Sequence, residues 1–204
     1  TAAAEYARQK PHLNLVIIGH VDAGKSTLMG NLLVQSGSVT SREFKKIEDE
    51  SLQIGRSKDA YAWVMAEEKT ERERGVTIKV SMTNFETEER HFTILDCPGH
   101  RDFVTNMIAG TSMAHAALLV VEAVNPNLDH GQTREHLLIC RALGVTNLVI
   151  CINKMDVVNY DKDVFNSICE QLQAFLRGFG AENIAFIPTS AQFGENILDH
   201  APVM

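Results

Sequence analysis

The sequence has little of what would place this chain in a membrane, outside the cell or on DNA. No apolar run approaches the roughly 20 residues of a membrane-spanning helix, and no basic segment followed by an apolar one marks a secretory leader. The four cysteines form no C-x-x-C pair, which argues against a disulfide framework or a zinc site. The net charge of −7 argues against a bulk electrostatic grip on nucleic acid. We expect a cytoplasmic domain with no membrane or DNA partner.

The length of 204 residues and the hydrophobic content of 45% suit one α/β domain with a full core. The sequence shows no internal repeat, low-complexity segment or linker, so we treat residues 1–204 as a single domain. The chain begins with Thr1 and ends with Met204, and we expect it to be one domain of a longer protein. We expect the isolated domain to be a monomer.

Residues 19–26 fit the phosphate-binding pattern G-x-x-x-x-G-K-[ST]. An apolar run precedes the pattern and a helical segment follows it, so the strand–loop–helix context is present. Amide N–H groups of such a loop point at phosphates. Lys25 supplies a cation for the β- and γ-phosphates, and the Ser26 hydroxyl is a ligand for Mg²⁺. The alternative is a glycine-rich turn before a structural helix. The predicted phosphate-binding residues are Gly19, His20, Val21, Asp22, Ala23, Gly24, Lys25, Ser26 and Thr27.

Apolar runs of strand length alternate with helical segments along the rest of the chain. This alternation predicts an α/β fold of the P-loop NTPase class, with a mostly parallel six-stranded sheet and helices on both faces. Two runs with period-two alternation flank a turn, so they predict a hairpin and one antiparallel edge strand. The predicted strands are 13–18, 77–83, 91–96, 116–121, 147–152 and 184–187, and the predicted helices are 25–35, 42–54, 58–68, 133–143 and 161–179.

A second phosphate-side motif, D-C-P-G-H, begins at the end of the predicted strand 91–96. A carboxylate there can hold Mg²⁺ through water, and the Gly99 N–H can reach a γ-phosphate. Thr77 offers a further hydroxyl ligand for Mg²⁺ from a loop that orders when the γ-phosphate is present. The alternatives are a plain strand-ending turn, a strand-initiating Thr77 and a solvated charged face at 67–74. The predicted nucleotide-binding residues of this motif are Asp96, Cys97, Pro98, Gly99 and His100.

The stretch N-K-M-D after the predicted strand 147–152 indicates a guanine site. The Asp156 carboxylate can accept hydrogen bonds from the N1–H and the N2 amine of guanine, whereas adenine has an acceptor at N1 and lacks that amine. The stem of Lys154 can cover the base, and Asn153 can tie the loops together. The N–H of Ala191 would meet guanine O6. The predicted base-side residues are Asn153, Lys154, Met155, Asp156, Ser190, Ala191 and Gln192.

Taken together, the motifs resemble those of the translational GTPases, in particular the eukaryotic group of elongation factor one alpha, release factor three and the Hbs-type ribosome-rescue factor. The stretches G-H-V-D-A-G-K-S-T, E-R-E-R-G-V-T, D-C-P-G-H-R-D-F, G-Q-T-R-E-H and N-K-M-D occur in this order. Residues 13–30, 80–87 and 186–190 look most like the Hbs type. The resemblance implies a GTP-hydrolysing switch that binds GTP, GDP and Mg²⁺.

Roles for single residues also follow from the resemblance. His100 would position the attacking water. Together with Lys25 at the phosphates and Thr77 at the metal, it completes the predicted catalytic residues. Val21 and Val76 would form an apolar gate before that histidine. Asp22 would help to hold a monovalent cation near the phosphates. The predicted metal ligands are Ser26, Thr77 and, through water, Asp96.

Family members continue into two β-barrel domains and act on the ribosome. The resemblance therefore implies a Pelota-like partner for the Hbs type, a release factor for release factor three, or aminoacyl-tRNA for elongation factor one alpha. The chain departs from the group in three places. Cys97 replaces a small residue, the stretch 122–131 is short, and Ala191 stands where a glycine is usual.

We expect hydrolysis to be slow without the ribosome, because no residue is an obvious arginine finger. Arg72, Arg74 and Arg101 are the candidates for one. Two other functions stay open, namely a nucleotide-dependent binding module that does not hydrolyse and a metabolic GTPase of the sulfate-activating type. The presence of His100 and Thr77 favours hydrolysis, and the wording of the motifs favours translation. The remaining histidines have no metal-ligand spacing.

Overall fold

A computed structural model describes residues 10–66, 69–74, 77–98, 103–124, 126, 132–177 and 184–201. In these residues strands alternate with helices, and short 3₁₀ turns occupy Ser57–Asp59 and Met155–Val158. The strands are β1 (His12–Ile18), β2 (Ser81–Glu86), β3 (His91–Asp96), β4 (Ala116–Glu122), β5 (Asn147–Asn153) and β6 (Ala185–Pro188). The α-helices are α1 (Lys25–Gln35), α2 (Ser41–Gln53), α3 (Ala60–Met65), α4 (Lys69–Arg74), α5 (Val104–Thr111), α6 (Gln132–Ala142) and α7 (Lys162–Leu176).

The strands form one six-stranded sheet in the order β2-β3-β1-β4-β5-β6. Strand β2 pairs antiparallel with β3, and the other pairs in the described sheet are parallel. The predicted fold class is therefore confirmed, including the antiparallel edge strand. Because β1 lies between β3 and β4, the loop after β1 lies near the middle of the carboxyl edge of the sheet, where open α/β sheets bind their ligands.

Alternate residues of the central strands point to opposite faces of the sheet and fill two cores. On one face Val16 packs in a cluster with Leu172 of α7 and with residues of α5 and α6. On the other face Ile17 and Val120 pack in a cluster with Leu33 of α1. Burial of both faces explains why β4 and β5 read as continuous apolar runs rather than alternating ones.

Local sequence signals fix the starts of two helices. Thr40 and Glu43 form a capping box at α2, in which each side chain accepts a hydrogen bond from the other residue's backbone N–H, at 3.3 Å and 2.9 Å. The Asp161 carboxylate caps α7 by accepting hydrogen bonds from the N–H groups of Asp163 and Val164. These caps set the first turns of both helices.

Helices α1 and α3 approach each other closely at Gly30. A Cβ atom at this position would lie 1.9 Å from the carbonyl oxygen of Tyr61, so a larger residue would force the helices apart. This contact secures α3 over the helix that carries the phosphate-binding residues. None of the helices in the described part of the chain has the length and apolar character that crossing a membrane requires.

The segment before β2 departs from the sequence prediction. Strand β2 begins at Ser81, so the predicted strand start at Thr77 is wrong. The N–H of Ile78 donates to Glu71 Oε1 at 2.8 Å and its carbonyl accepts from Asn106 Nδ2 at 2.9 Å. Because these side chains occupy the backbone groups that a strand would pair, the ladder starts only further along.

Several helix bounds also differ from prediction. The helix expected at 58–68 is the shorter α3 after a 3₁₀ turn. Helix α7 ends at Leu176, and residues 178 and 179, the last two of the helix expected at 161–179, lie outside the described residues. Helices α4 and α5 were absent from the sequence prediction. In α4 the side chain of Glu71 is buried, so the charged run there is not simply a solvated face.

Candidate functional site

The phosphate loop joins β1 to α1. Gly24, just before α1, has a left-handed backbone with a φ of 89°. A Cβ atom at Gly24 would lie 2.4 Å from Nδ2 of Asn153, so glycine allows the loop to approach the carboxyl end of β5. Asp22 is also left-handed, with a φ of 64°. The loop is thus a tight backbone turn pressed against the residue that begins the N-K-M-D stretch.

The ammonium group of Lys25 lies within this loop. Its Nζ donates to the carbonyl oxygens of Gly19 at 3.1 Å and His20 at 2.8 Å, and the residue is 6% exposed. Burial lowers the pKa of Lys25, and the nearby carboxylate of Asp96 opposes this shift. Lys25 is therefore a buried cation that the loop itself holds where the sequence predicts phosphate binding.

Two hydroxyls and one carboxylate meet near Lys25. Ser26 Oγ donates to Asp96 Oδ2 at 2.8 Å and lies 3.2 Å from Thr77 Oγ1. Burial raises the pKa of Asp96, while the Lys25 charge lowers it. Atom Oδ1 of Asp96 is buried and has no hydrogen-bond partner in the described part of the chain. An unsatisfied carboxylate oxygen beside two hydroxyls is a donor set that suits a hard cation such as Mg²⁺, so these residues fit the predicted metal.

The position of Thr77 depends on two residues that the sequence analysis did not single out. The buried Glu71 carboxylate accepts from the N–H groups of Ile78 at 2.8 Å and Lys79 at 3.2 Å. Asn106 of α5 donates to the Ile78 carbonyl. The backbone just after Thr77 is thus held from two helices. Glu71 lies in the quoted stretch E-R-E-R-G-V-T, but only the fold shows that its side chain points inward.

Asn153 joins the phosphate loop to the base-side loop. Its Nδ2 donates to the Ala23 carbonyl at 2.9 Å, and its Oδ1 accepts from the Ala191 N–H at 2.9 Å. Asn153 is 2% exposed, so both hydrogen bonds are shielded from water. This linkage is the one expected of Asn153. The Ala191 N–H, in contrast, donates to Asn153 Oδ1 here. To contact guanine O6 as expected, this N–H would have to be shared between the two oxygens or leave Asn153.

Asp156 and Lys154 lie together after β5. Asp156 Oδ1 accepts from the Ser190 hydroxyl at 2.6 Å, which leaves Oδ2 for a further donor. Lys154 is left-handed, with a φ of 63°, and its Nζ forms an ion pair with Glu122 at the end of β4. The Glu122 contact, which the sequence analysis missed, fixes the direction of the Lys154 stem. The carboxylate predicted to read guanine is thus oriented by a neighbouring hydroxyl.

His136 of α6 contacts the first residue of the phosphate loop. The Gly19 N–H points to its Nδ1 at 3.4 Å, and the imidazole is 1% exposed. Burial, with the positive charge of Lys25 and the ring of His20, lowers the pKa of His136 to about 4. A neutral His136 is therefore the form that accepts from Gly19. Within the described residues no three His, Cys, Asp or Glu side chains form a group that could hold a metal ion.

The structure also locates the remaining predicted residues. Thr27 lies in the first turn of α1, Pro98 and Met155 are buried, and Gln192 is exposed. Cys97 is 1% exposed, and burial raises its pKa far above the ordinary range. Val21 is half-buried in the phosphate loop. Residues lying outside the described chain are Val76, Gly99, His100 and Arg101.

Arg72, one of the candidates for an arginine finger, is engaged by groups of helices α2 and α3 and of the segment that follows α3. Its Nη1 pairs with Glu50 at 3.1 Å, its Nε donates to the carbonyl of Ala66 at 3.3 Å, and its guanidinium lies 5.4 Å from the ring centroid of Trp63. The Arg72 guanidinium is thus engaged in an ion pair with a residue of α2 and a cation–π contact with a residue of α3.

The site defines the class of the protein: it is a P-loop nucleotide-binding domain with a guanine-type base site. The features that define this class are the strand order, the phosphate loop, the buried lysine and the N-K-M-D turn with its carboxylate. A family profile described as the Elongation factor Tu GTP binding domain matches residues 10–202. The chain belongs to this family of translational GTPases.

Similar proteins of known sequence are archaeal elongation factors. The chain is 46% identical over 197 residues to elongation factor 1-alpha of Methanosarcina barkeri, covering 96% of this chain and 46% of that relative. It is 48% identical over 203 residues to elongation factor 1-alpha of Thermofilum pendens, covering 96% and 47%. The chain thus spans just under half the length of these curated relatives.

Solved structures agree with this assignment of the fold. The chain superposes on sup35 complexed with GMPPNP with a TM-score of 0.64 and 33% identity, covering 94% of this chain and 40% of that one. The GTP-bound Ski7 GTPase-like domain of S. cerevisiae gives a TM-score of 0.80 over 100% of this chain and 48% of that one. At 22% identity, the Ski7 likeness supports the fold alone.

The lowered pKa of His136 predicts a pH dependence of stability. Because the unfolded chain takes up this proton near pH 6.5 and the folded chain only near pH 4, the neutral imidazole stabilises the fold above that window. We expect about 2 kcal/mol of stability to be lost between pH 7 and pH 5 through this group. His136→Asn keeps an acceptor for Gly19 and removes the titration. Its denaturation midpoints should therefore fall less with acid.

The matched control for this measurement is His200→Asn, because His200 is exposed. It should follow the pH profile of the unmodified chain. If His136→Asn loses stability between pH 7 and pH 5 as steeply as the unmodified chain does, the buried neutral imidazole is not the source of the dependence.

Proposed function

We propose that this chain is a GTP-binding and GTP-hydrolysing switch domain. The observation that carries the proposal is the pair of hydrogen bonds made by Asn153, one to Ala23 of the phosphate loop and one to Ala191 of the base-side loop. They set the distance between the lysine at one end of the site and Asp156 at the other. A site of fixed length with a cation at one end and a carboxylate at the other suits a guanosine phosphate.

At the phosphate end, Lys25 and the loop N–H groups stabilise charge on the β- and γ-phosphates. Ser26 and Thr77 would hold Mg²⁺ directly and Asp96 would hold it through water. When bound, Mg²⁺ neutralises charge on the phosphate oxygens. Asp22, in the same loop, would help to hold a monovalent cation. The carboxylate of Asp96 also keeps the Ser26 hydroxyl oriented, since the two are 2.8 Å apart.

Hydrolysis needs a positioned water, and we assign that task to His100. We propose that the isolated domain hydrolyses GTP slowly and that the ribosome accelerates it. Arg72 supports this view, because its guanidinium is committed to Glu50 and Trp63. A cation supplied to the transition state from outside could be worth about 10³–10⁵ in rate.

The role in translation that we propose is ribosome rescue of the Hbs type, with a Pelota-like partner in the cytoplasm. The segments 13–30, 80–87 and 186–190 support it through their resemblance to that type. A second candidate is an elongation factor that carries aminoacyl-tRNA. The identity of 46% and 48% to archaeal elongation factor 1-alpha favours this alternative. Release factor three type activity is the third possibility, to which the 33% identity to sup35 is relevant.

Base recognition by Asp156 predicts a change of nucleotide preference in Asp156→Asn. Asparagine replaces one carboxylate oxygen by an N–H donor and leaves the other acceptor uncharged, so one hydrogen bond is lost and the other is weakened, and GDP should bind about 10²- to 10⁴-fold more weakly. Xanthosine diphosphate should bind more tightly than it does to the unmodified chain, because asparagine offers a donor where xanthine has an oxygen. Fluorescence titration with both nucleotides measures this.

The control for this change is Asp163→Asn, which makes the same substitution at an exposed residue in the first turn of α7. It should leave both affinities unaltered. Unchanged GDP affinity in Asp156→Asn would refute the assignment of the base-reading carboxylate.

The rescue role predicts which partner binds the full-length protein. In the GTP-bound state it should bind a purified Pelota-like protein with higher affinity than in the GDP-bound state, because the switch segments change with the γ-phosphate. Calorimetric titrations with the Pelota-like protein, release factor one and aminoacyl-tRNA in parallel would separate the candidates. GTP-dependent binding of aminoacyl-tRNA without binding of the Pelota-like protein would contradict rescue and favour elongation.

A further inference from the structure

Backbone strain is concentrated around the base-side loops. In the described part of the chain, five residues other than glycine have a positive φ, and Asp22 of the phosphate loop is one of them. The others are Lys154, Asn159, Tyr160 and Asn196, with φ between 53° and 63°. A bulky aromatic residue in the left-handed region is an outlier that persists only where its surroundings fix it. Tyr160 therefore calls for an explanation in terms of its contacts.

Tyr160 connects the turn that carries Asp156 to the second base-side loop. Its backbone N–H donates to the Met155 carbonyl at 2.8 Å, and its hydroxyl donates to the carboxylate of Glu195. Burial and the interaction with Glu195 raise the pKa of Tyr160 to about 12, so the phenol keeps its proton and remains a donor at neutral pH. Tyr160 makes both contacts from a left-handed backbone, with a φ of 55°.

Glu195 passes this connection on to Ser190. The two residues form an antiparallel bridge, with the Ser190 N–H donating to the Glu195 carbonyl at 3.2 Å and the Glu195 N–H donating to the Ser190 carbonyl at 3.1 Å. The Ser190 hydroxyl in turn donates to Asp156 Oδ1 at 2.6 Å. The contacts form a closed ring that runs from Asp156 through Ser190, Glu195 and Tyr160 back to the turn beginning at Met155.

We propose that Tyr160 and Glu195 are positioning residues that fix the Asp156 carboxylate for two-point recognition of guanine. The inference rests on the proposed function, since it assumes that Asp156 accepts from both the N1–H and the N2 amine. Neither residue needs to touch the nucleotide. Their effect is to hold Ser190 and the Asp156 turn at a constant separation, so that both carboxylate hydrogen bonds can form together.

The inosine nucleotide IDP distinguishes this role from general support of the fold. Hypoxanthine keeps the N1–H of guanine and lacks the N2 amine, so IDP can make only one of the two hydrogen bonds. If the carboxylate is held in place, the N2 amine of guanine adds a full hydrogen bond and GDP binds much more tightly than IDP. If the carboxylate can shift, the second hydrogen bond adds less affinity. The ratio of the IDP and GDP dissociation constants therefore reports how firmly Asp156 is positioned. A loss of fold stability alone would weaken the binding of both nucleotides equally and leave the ratio unchanged.

The experiment measures GDP, IDP and ADP binding by fluorescence titration for the unmodified chain, Tyr160→Phe, Glu195→Ala and the double variant. Tyr160→Phe removes the hydroxyl and keeps the ring, so the fold should persist, which the melting temperature checks. The ratio should fall about fivefold, the size expected for the loss of one hydrogen bond. Because the two residues act as a pair, the double variant should lose no more than either single one.

Two further variants sharpen the test. Glu195→Gln retains an acceptor for the Tyr160 hydroxyl and should keep a ratio close to that of the unmodified chain. Tyr61→Phe makes the same change on α3, where Tyr61 stacks on Phe44 with ring centroids 4.7 Å apart, and should leave the ratio unchanged.

If Tyr160→Phe weakens the binding of GDP and IDP equally, or changes the affinity for neither, the positioning role is overturned and the assignment of guanine recognition to Asp156 is unaffected. An unmodified chain that binds ADP as tightly as GDP would contradict the proposed function itself and this inference with it. The ADP arm thus keeps the two failures distinguishable.

Discussion

Asn153 is the residue on which the geometry of the site depends. It ends β5 and is 2% exposed, and the two ends of its amide hold a carbonyl of the phosphate loop and an N–H of the base-side loop. A shorter or apolar side chain would leave both backbone groups buried without partners, at a cost of about 1–3 kcal/mol for each. Asn153 therefore connects the phosphate end of the site directly to the base end.

The phosphate end is built from charges that the fold keeps out of water. Lys25 and Asp96 are both buried, and each charge offsets part of the effect of burial on the pKa of the other. Such a pair adds little to stability by itself, because desolvation opposes the attraction. We propose that the pair is retained for binding phosphate and a cation. The segment holding Thr77 is attached by Glu71 and Asn106 through the backbone of Ile78, so the hydroxyl that we propose as a metal ligand depends on helices α4 and α5.

The sheet, the antiparallel edge and the motif positions could be predicted from the sequence, because buried parallel strands and the phosphate loop leave strong local patterns. What could not be predicted arises from long-range contacts. The backbone of Ile78 bonds to Glu71 and Asn106 rather than to a strand, and no local period reveals this. His136 lies within a recognisable motif, but only the packing of α6 under Gly19 shows its use as a buried acceptor. Similarly, the placement of Arg72 beside the ring of Trp63 depends on how α3 and α4 meet.

Selectivity for guanine over adenine is the property that Asp156 and the joined loops would confer, and a direct comparison of nucleotides measures it. The purified chain would be titrated with fluorescent GDP and ADP in the presence of magnesium, with unlabelled nucleotide as competitor. We predict that GDP binds more tightly than ADP by about 10⁴-fold, the discrimination expected when a charged acceptor loses its donors. Equal affinity for the two nucleotides would contradict the account, because neither Asp156 nor the loops that Asn153 joins would then be reading the base.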